Sequence, residues 1–336
     1  MSLERQIRRK LGILNVLKSR ATPIGSSDLA AALSAGGHET SERTVRLYLQ
    51  DMAREGLTLT QGRKGSLITE KGIAELGASQ PLERMGIVSA RIDQMTYRMD
   101  FDLSTRSGTV VVNTTVVDPP LLLRCLDDIC QVFRDGYAMG NLVALLAPGE
   151  RMGDIQVPET QIGFCTVCSI TVNGILLKHG IPTRSRFGGL LELRARQPVR
   201  FAEMITYEGT SIDPLLVFIR GGMTDYLGAI RTGNGRVGAS FREIPTESRD
   251  FVTGLAPRMA SLGLGGLLRL GMPGQPLLHI PVGEGRCGAI VMGGLNPAAV
   301  LEERGHRVFS SALSGLMDYS RLFHFEEIRR RLAALL

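Results

Sequence analysis

The chain has 336 residues, 43% of them hydrophobic and none of them tryptophan, with a formal net charge of +6. That is enough apolar material for two or three globular domains. It holds no apolar run fit for a bilayer, because the stretch Leu262–Leu270 is broken by glycines and Arg269. The charged start lacks a signal-peptide core, so a cytoplasmic protein with no membrane contact is expected. Five cysteines without an export signal argue for reduced thiols rather than a disulfide framework.

Ile7, Leu11, Leu14 and Leu17 mark a first amphipathic helix, and Ser26-Ser27 followed by Leu29, Ala32 and Leu33 a second that ends at Gly36-Gly37. Val45, Leu49, Met52 and Ala53 make the stripe of a third, with Ser41 as N-cap and Gly56 as stop. Opposite that stripe lie Arg43, Thr44, Arg46, Tyr48, Gln50 and Arg54, donors suited to phosphates and base edges. Two alternating runs, Leu57–Thr60 and Ser66–Thr69, follow, joined by Gln61-Gly-Arg63-Lys64-Gly65 with two cations at the tip. Three helices and a hairpin predict a winged helix over residues 1–78 that grips double-stranded DNA through Arg43, Thr44, Arg46, Tyr48, Gln50, Arg63 and Lys64. Charge agrees: this segment holds 12 Lys and Arg against 8 Asp and Glu, +4 of the chain's +6. A boundary is expected near Ala78–Pro81.

Beyond it a pattern recurs. Gly108 and Gly235 open similar valine-rich or alanine-rich runs, each followed by a helix, then by Gly149 and Gly274, Cys165 and Cys287, Gly180 and Gly305; the spacings are 127, 125, 122 and 125. The fold class expected is therefore α+β: a winged helix-turn-helix followed by a duplicated α/β regulatory domain, with lobes at 82–205 and 206–325 and a small-molecule site at their seam. The first lobe keeps a polar run, Cys168-Ser169-Ile-Thr171-Val-Asn173-Gly174, where the second has Ile290–Gly294. Residues 306–336 read as a helical tail on Leu313, Leu316, Met317, Ile328, Leu332 and Leu335.

Cys165-Thr-Val-Cys168 invites a redox or metal reading, with Cys125 and Cys130 as further zinc ligands. The segment Ile162–Val172 reads as one continuous strand, which favours buried thiols. A DNA-tethered enzyme, with Cys165 or Cys168 as nucleophile and His179 as base, is the rival reading; the expectation is that the chain is not an enzyme and carries no metal or cofactor.

The motifs Gly163-Phe-Cys-Thr-Val-Cys-Ser-Ile-Thr-Val-Asn-Gly174, Gly180-Ile-Pro182, Arg186-Phe-Gly-Gly-Leu190, Tyr207-Glu-Gly-Thr-Ser-Ile-Asp-Pro214 and Gly222-Met-Thr224 resemble the NrpR family of nitrogen regulators. The resemblance runs over essentially the whole chain, with one regulatory domain where some members have two. It implies a repressor of nitrogen-assimilation promoters that binds an inverted-repeat operator as a homodimer and lets go when 2-oxoglutarate accumulates; a different small ligand is the alternative.

For such a dicarboxylate the sequence offers Arg186, beside Arg184, as a fork, and Gly188 and Gly189 for close backbone approach. Cys168, Ser169, Thr171 and Asn173 come from the polar run, the last three alternating along one strand face, and Thr210 adds a donor near Asp213, itself a helix cap.

Overall fold

A computed structural model describes residues 3–20, 22–35, 40–73, 76 and 86–335, and the chain divides into two units, Met1–Met85 and Gly86–Leu336. The expected boundary at Ala78–Pro81 and the helix stop at Gly36-Gly37 lie outside the described residues.

In the first unit α1 (Leu3–Lys18), α2 (Ser26–Ala35) and α3 (Glu42–Arg54) pack around Leu11, Leu14, Leu17, Leu29, Leu33, Val45, Leu49 and Met52, all buried. Ser41 caps α3 by accepting from the Thr44 N–H at 3.3 Å, with extended backbone, as a short hydroxyl before a helix does. Strands β1 (Thr58–Thr60) and β2 (Ser66–Ile68) pair antiparallel as a hairpin. Its turn closes tightly because Gly65 has φ +108°, and a Cβ there would lie 2.3 Å from the Ile24 carbonyl that bridges to Ser66.

The second unit opens with α4 (Ile87–Arg98), then β3 (Thr109–Val117), α5 (Pro119–Arg134), β4 (Leu142–Leu146), the small ribbon β5 (Arg151–Met152) and β6 (Ile155–Gln156), β7 (Ile162–Val167) and α6 (Ile170–Lys178). The chain continues through β8 (Arg184–Arg194), β9 (Gln197–Thr206), α7 (Pro214–Arg220), α8 (Tyr226–Thr232), β10 (Gly235–Pro245), α9 (Arg249–Ser261), β11 (Leu267–Leu270) and β12 (Arg286–Met292). It ends on α10 (Asn296–Glu303), β13 (Phe309–Asp318), β14 (Phe323–His324) and α11 (Ile328–Leu335).

Two five-stranded sheets result, in the orders β13-β3-β7-β4-β14 and β11-β12-β10-β8-β9. Each has the same centre: a first strand (β3 or β10) flanked by the third strand of its own repeat (β7 or β12). The other flank belongs to the other repeat. Strand β8, following α6, lies against β10, while β13, following α10, lies against β3. The strand that follows the second helix of each repeat, β8 after α6 and β13 after α10, is thus exchanged, so contiguous lobes at 82–205 and 206–325 do not describe the sheets.

The expectation of a helical tail at 306–336 is corrected: Phe309–Asp318 is a strand, and helix is confined near the end to Ile328–Leu335. Its apolar spacing looks helical because the strand is irregular between Ser311 and Gly315, where Leu313 has φ +51°, so side chains no longer alternate simply. Ile162–Val172 is not one strand either. Strand β7 stops at Val167 and α6 begins at Ile170, although Ile170, Thr171 and Val172 are the β-branched residues that sequence reading assigns to strands.

Candidate DNA-reading surface and effector cleft

On the first unit, Arg43, Arg46, Gln50 and Arg54 stand exposed on α3, and Lys64 at the hairpin tip is exposed too. Arg46 pairs with Glu42 one turn earlier and Arg54 with Asp51 at 3.3 Å. Both pairs are solvent-exposed and weak, so neither cation is withheld from a partner. Thr44 is half-buried with its hydroxyl 2.9 Å from that of Ser41, and Tyr48 packs partly against the core. These two are less available than the arginines. The backbone of Arg63 lies in the turn Gly62–Lys64; its side chain lies outside the described ones.

On the second unit the predicted effector residues do not form one group. Arg186 donates to Glu243 at 2.9 Å and to the Pro281 carbonyl at 2.8 Å, so its charge is already answered by a carboxylate. Gly188 and Gly189 lie within β8, and their missing side chains make room for packing: a Cβ would meet Pro214 Cβ at 2.8 Å in one case and the Glu203 carbonyl at 2.6 Å in the other. Thr210 is spent on a local turn, donating to Ile212 O at 2.7 Å and accepting from Ile212 N at 3.1 Å. Thr171 contacts both backbone groups of Val111, its hydroxyl 3.2 Å from each. Ser169, Thr171 and Asn173 sit at the start of α6 and not along a strand face.

Ser169 and Asn173 do converge, on a residue that sequence reading missed. Arg242 of β10 is 1% exposed. Its guanidinium donates to the Ser169 carbonyl at 2.8 Å, to Asn173 Oδ1 and, at 3.3 Å, to Ser240 Oγ, while its Nε finds no partner. No carboxylate pairs with it among the described residues, and burial pulls its pKa down to about 10. Asn173 turns its other end to Ser185, donating from Nδ2 to Oγ at 3.0 Å. In β8 and β10, Ser185 lies opposite Arg242; in β13 and β3, Ser310 lies opposite Thr115, with their hydroxyls 2.9 Å apart. One sheet has closed this buried position with two hydroxyls, and the other holds an ion there. The signal was present in the repeat spacing, which sets Arg242 against Thr115.

Ser185 also lines a cleft of about 290 Å³ with Ser89, Asp93, Thr183, Arg184, Glu208 and Arg286. Arg184 is only 3.5 Å from Glu208 at an exposed site, and the buried Thr183 hydroxyl has no partner. Two guanidinium groups, balanced in formal charge by Asp93 and Glu208, and several hydroxyls line this cleft, and a line of hydrogen bonds runs from Ser185 through Asn173 to Arg242, a lining suited to a polar ligand that carries oxygens.

The cysteines carry no chemistry of the rival kind. All five are free and buried; burial pushes the Cys165 thiol up to about 12 and Cys168 to about 11, so neither supplies thiolate near neutrality. Cys168 precedes α6 and His179 caps its far end, so a nucleophile–base pair does not form. No cluster of three or more His, Cys, Asp or Glu able to hold a metal occurs among the described residues. No helix is long and apolar enough to cross a membrane among those residues.

A winged helix followed by a separate α/β unit defines a class of transcriptional regulators. Residues 4–76 match the Ribonuclease R winged-helix domain model, and residues 85–324 match the model of NrpR regulatory domains NRD1 and 2. A global nitrogen regulator NrpRI from Methanosarcina mazei is 33% identical over 94% of this chain and 98% of its own length. The global nitrogen regulator NrpR of Methanococcus maripaludis is 31% identical over 92% of this chain, which spans 54% of that protein. The crystal structure of a nitrogen repressor-like protein from Methanococcus jannaschii shares the fold with a TM-score of 0.60 at 24% identity, over 70% of this chain and 97% of that one. The chain belongs to the NrpR family of nitrogen regulators.

Proposed function

We propose that the chain is a transcriptional repressor in nitrogen control, acting in the cytoplasm as a dimer on an inverted-repeat operator and released by 2-oxoglutarate. The observation that carries the DNA half is the row Arg43, Arg46 and Gln50 on the exposed face of α3, with Lys64 exposed at the hairpin tip. In this reading the arginines and Gln50 address base edges while Lys64 meets phosphate.

The effector enters the cleft beside Ser185. Its carboxylates meet Arg184 and Arg286, and the hydroxyl of Ser185 takes a remaining oxygen. Of the residues expected from sequence, Ser169 and Asn173 act through Arg242; Cys168, Thr171, Arg186, Gly188, Gly189 and Thr210 serve packing or other partners. An effector changes operator affinity only by favouring one arrangement of the protein over another, and about 1–3 kcal/mol of coupling is the usual range.

Gel shift of the full chain on inverted-repeat promoter DNA, with and without 2-oxoglutarate, tests the whole. Arg46→Ala is expected to weaken binding by about 1–3 kcal/mol through a lost base contact, and Lys64→Ala to reduce the salt slope by about 0.9. Unchanged binding in both variants defeats the DNA reading. Release by some other small acid and not by 2-oxoglutarate defeats the named effector.

A further inference from the structure

Helix α3 carries one residue that the DNA-reading set omits and that its own packing does not explain. Leu47 is 57% exposed, although Val45, Leu49 and Met52 of the same helix are buried. At roughly 100° per residue, Leu47 lies on the far side of the helix from those three, at the crest of the outward face. Arg43 precedes it by four positions, Gln50 follows by three and Arg54 by seven, so it stands in line with three donors, and Arg46 adjoins it. A leucine here adds nothing to the core and sets an aliphatic side chain among the polar donors of the outward face.

We infer that Leu47 is a specificity-determining residue that reads the C5-methyl of a thymine in the major groove. The inference rests on the DNA-binding role proposed above. The major groove offers one apolar feature among its donors and acceptors, the thymine methyl, and an exposed aliphatic side chain among arginines matches it. Charge selects the occupant: Arg43 has no ion-pair partner among the described residues, Lys64 is exposed at the hairpin tip, and residues 1–78 carry +4 of the chain's net +6. A protein partner for the same leucine has no comparable support.

The test uses the full chain and a duplex recovered by selection from a randomised DNA library. Each thymine of the recovered site is changed singly to deoxyuridine, which removes the methyl and leaves every hydrogen-bonding group in place. Wild-type protein is expected to lose affinity about fourfold at one thymine in each half-site, the weight of one methyl-sized group taken out of water. Leu47→Ala is expected to bind thymine and deoxyuridine duplexes alike. Because the deoxyuridine series on wild-type protein needs no variant, a misfolded Leu47→Ala would leave the test intact. Tolerance of deoxyuridine at every position overturns the inference while leaving DNA binding standing, and so does a Leu47→Ala protein that keeps the discrimination or changes only self-association. Failure to recover any duplex overturns both.

Discussion

Tyr226→Phe removes a single oxygen from the centre of the second sheet's core. That hydroxyl accepts from the Gly238 N–H at 2.7 Å and donates to Asn296 Oδ1 at 2.6 Å, and Tyr226 is 0% exposed. Phenylalanine fits the same space but leaves one donor and one acceptor without partners and without water. At about 1–3 kcal/mol for each buried orphan, the loss of stability is about 2–6 kcal/mol. The first sheet supplies an internal control. There Thr171 serves Val111 as Asn296 and Tyr226 together serve Gly238, but the Val111 carbonyl also accepts from Cys168 N at 2.8 Å. Thr171→Val therefore orphans one group, the Val111 N–H, and costs about 1–3 kcal/mol. Urea unfolding of the full chain, comparing midpoints at unchanged slope, measures both. Equal losses in the two variants, or a Tyr226→Phe loss below about 1 kcal/mol, would refute the reasoning that orphaned backbone groups set the cost.

Two further outcomes are expected. Arg242→Met leaves no carboxylate stranded, so its cost stays below the roughly 3–5 kcal/mol of a severed buried ion pair, while gel shift shows DNA binding retained and the 2-oxoglutarate response lost; a response that survives argues against the cleft. Asp213, capping α7 by accepting from Leu215 N at 2.9 Å, has its pKa raised by burial to about 6. Between pH 4 and 6 the folded chain holds a proton that the unfolded chain has released, so stability falls as pH rises through that window. Asp213→Asn keeps the acceptor and removes the fall, which denaturation midpoints at pH 4, 5, 6 and 7 would reveal; an unaltered slope would assign the effect elsewhere.

The winged helix was legible because its helices announce themselves locally: Val45, Leu49 and Met52 give the stripe, and Ser41 the cap. The candidate cleft was not, and the reasons are physical. Arg186 stood out beside glycines, but its partner Glu243 lies on another strand 57 residues away. Arg242 sits next to Phe241, and the groups it meets at the start of α6, Ser169 and Asn173, lie 73 and 69 residues away in the chain. Ser169 to Asn173 looked extended because Ile170, Thr171 and Val172 are β-branched; burial of Ile170, Thr171 and Val172 overrides that preference. The repeat was visible as spacing, whereas the exchange of β8 and β13 depends on pairing partners that spacing does not encode.

That exchange bears on how the chain comes to be folded. Residues Thr109–Val117 meet β13 only after Phe309–Asp318 has left the ribosome, some two hundred positions later. During synthesis β3 waits with one flank uncovered, a template for mispairing with any passing strand. Maturation of this unit should therefore be slow and complete only near the end of translation, and truncations just upstream of Phe309 should produce aggregates from a chain that already carries nearly all of its core.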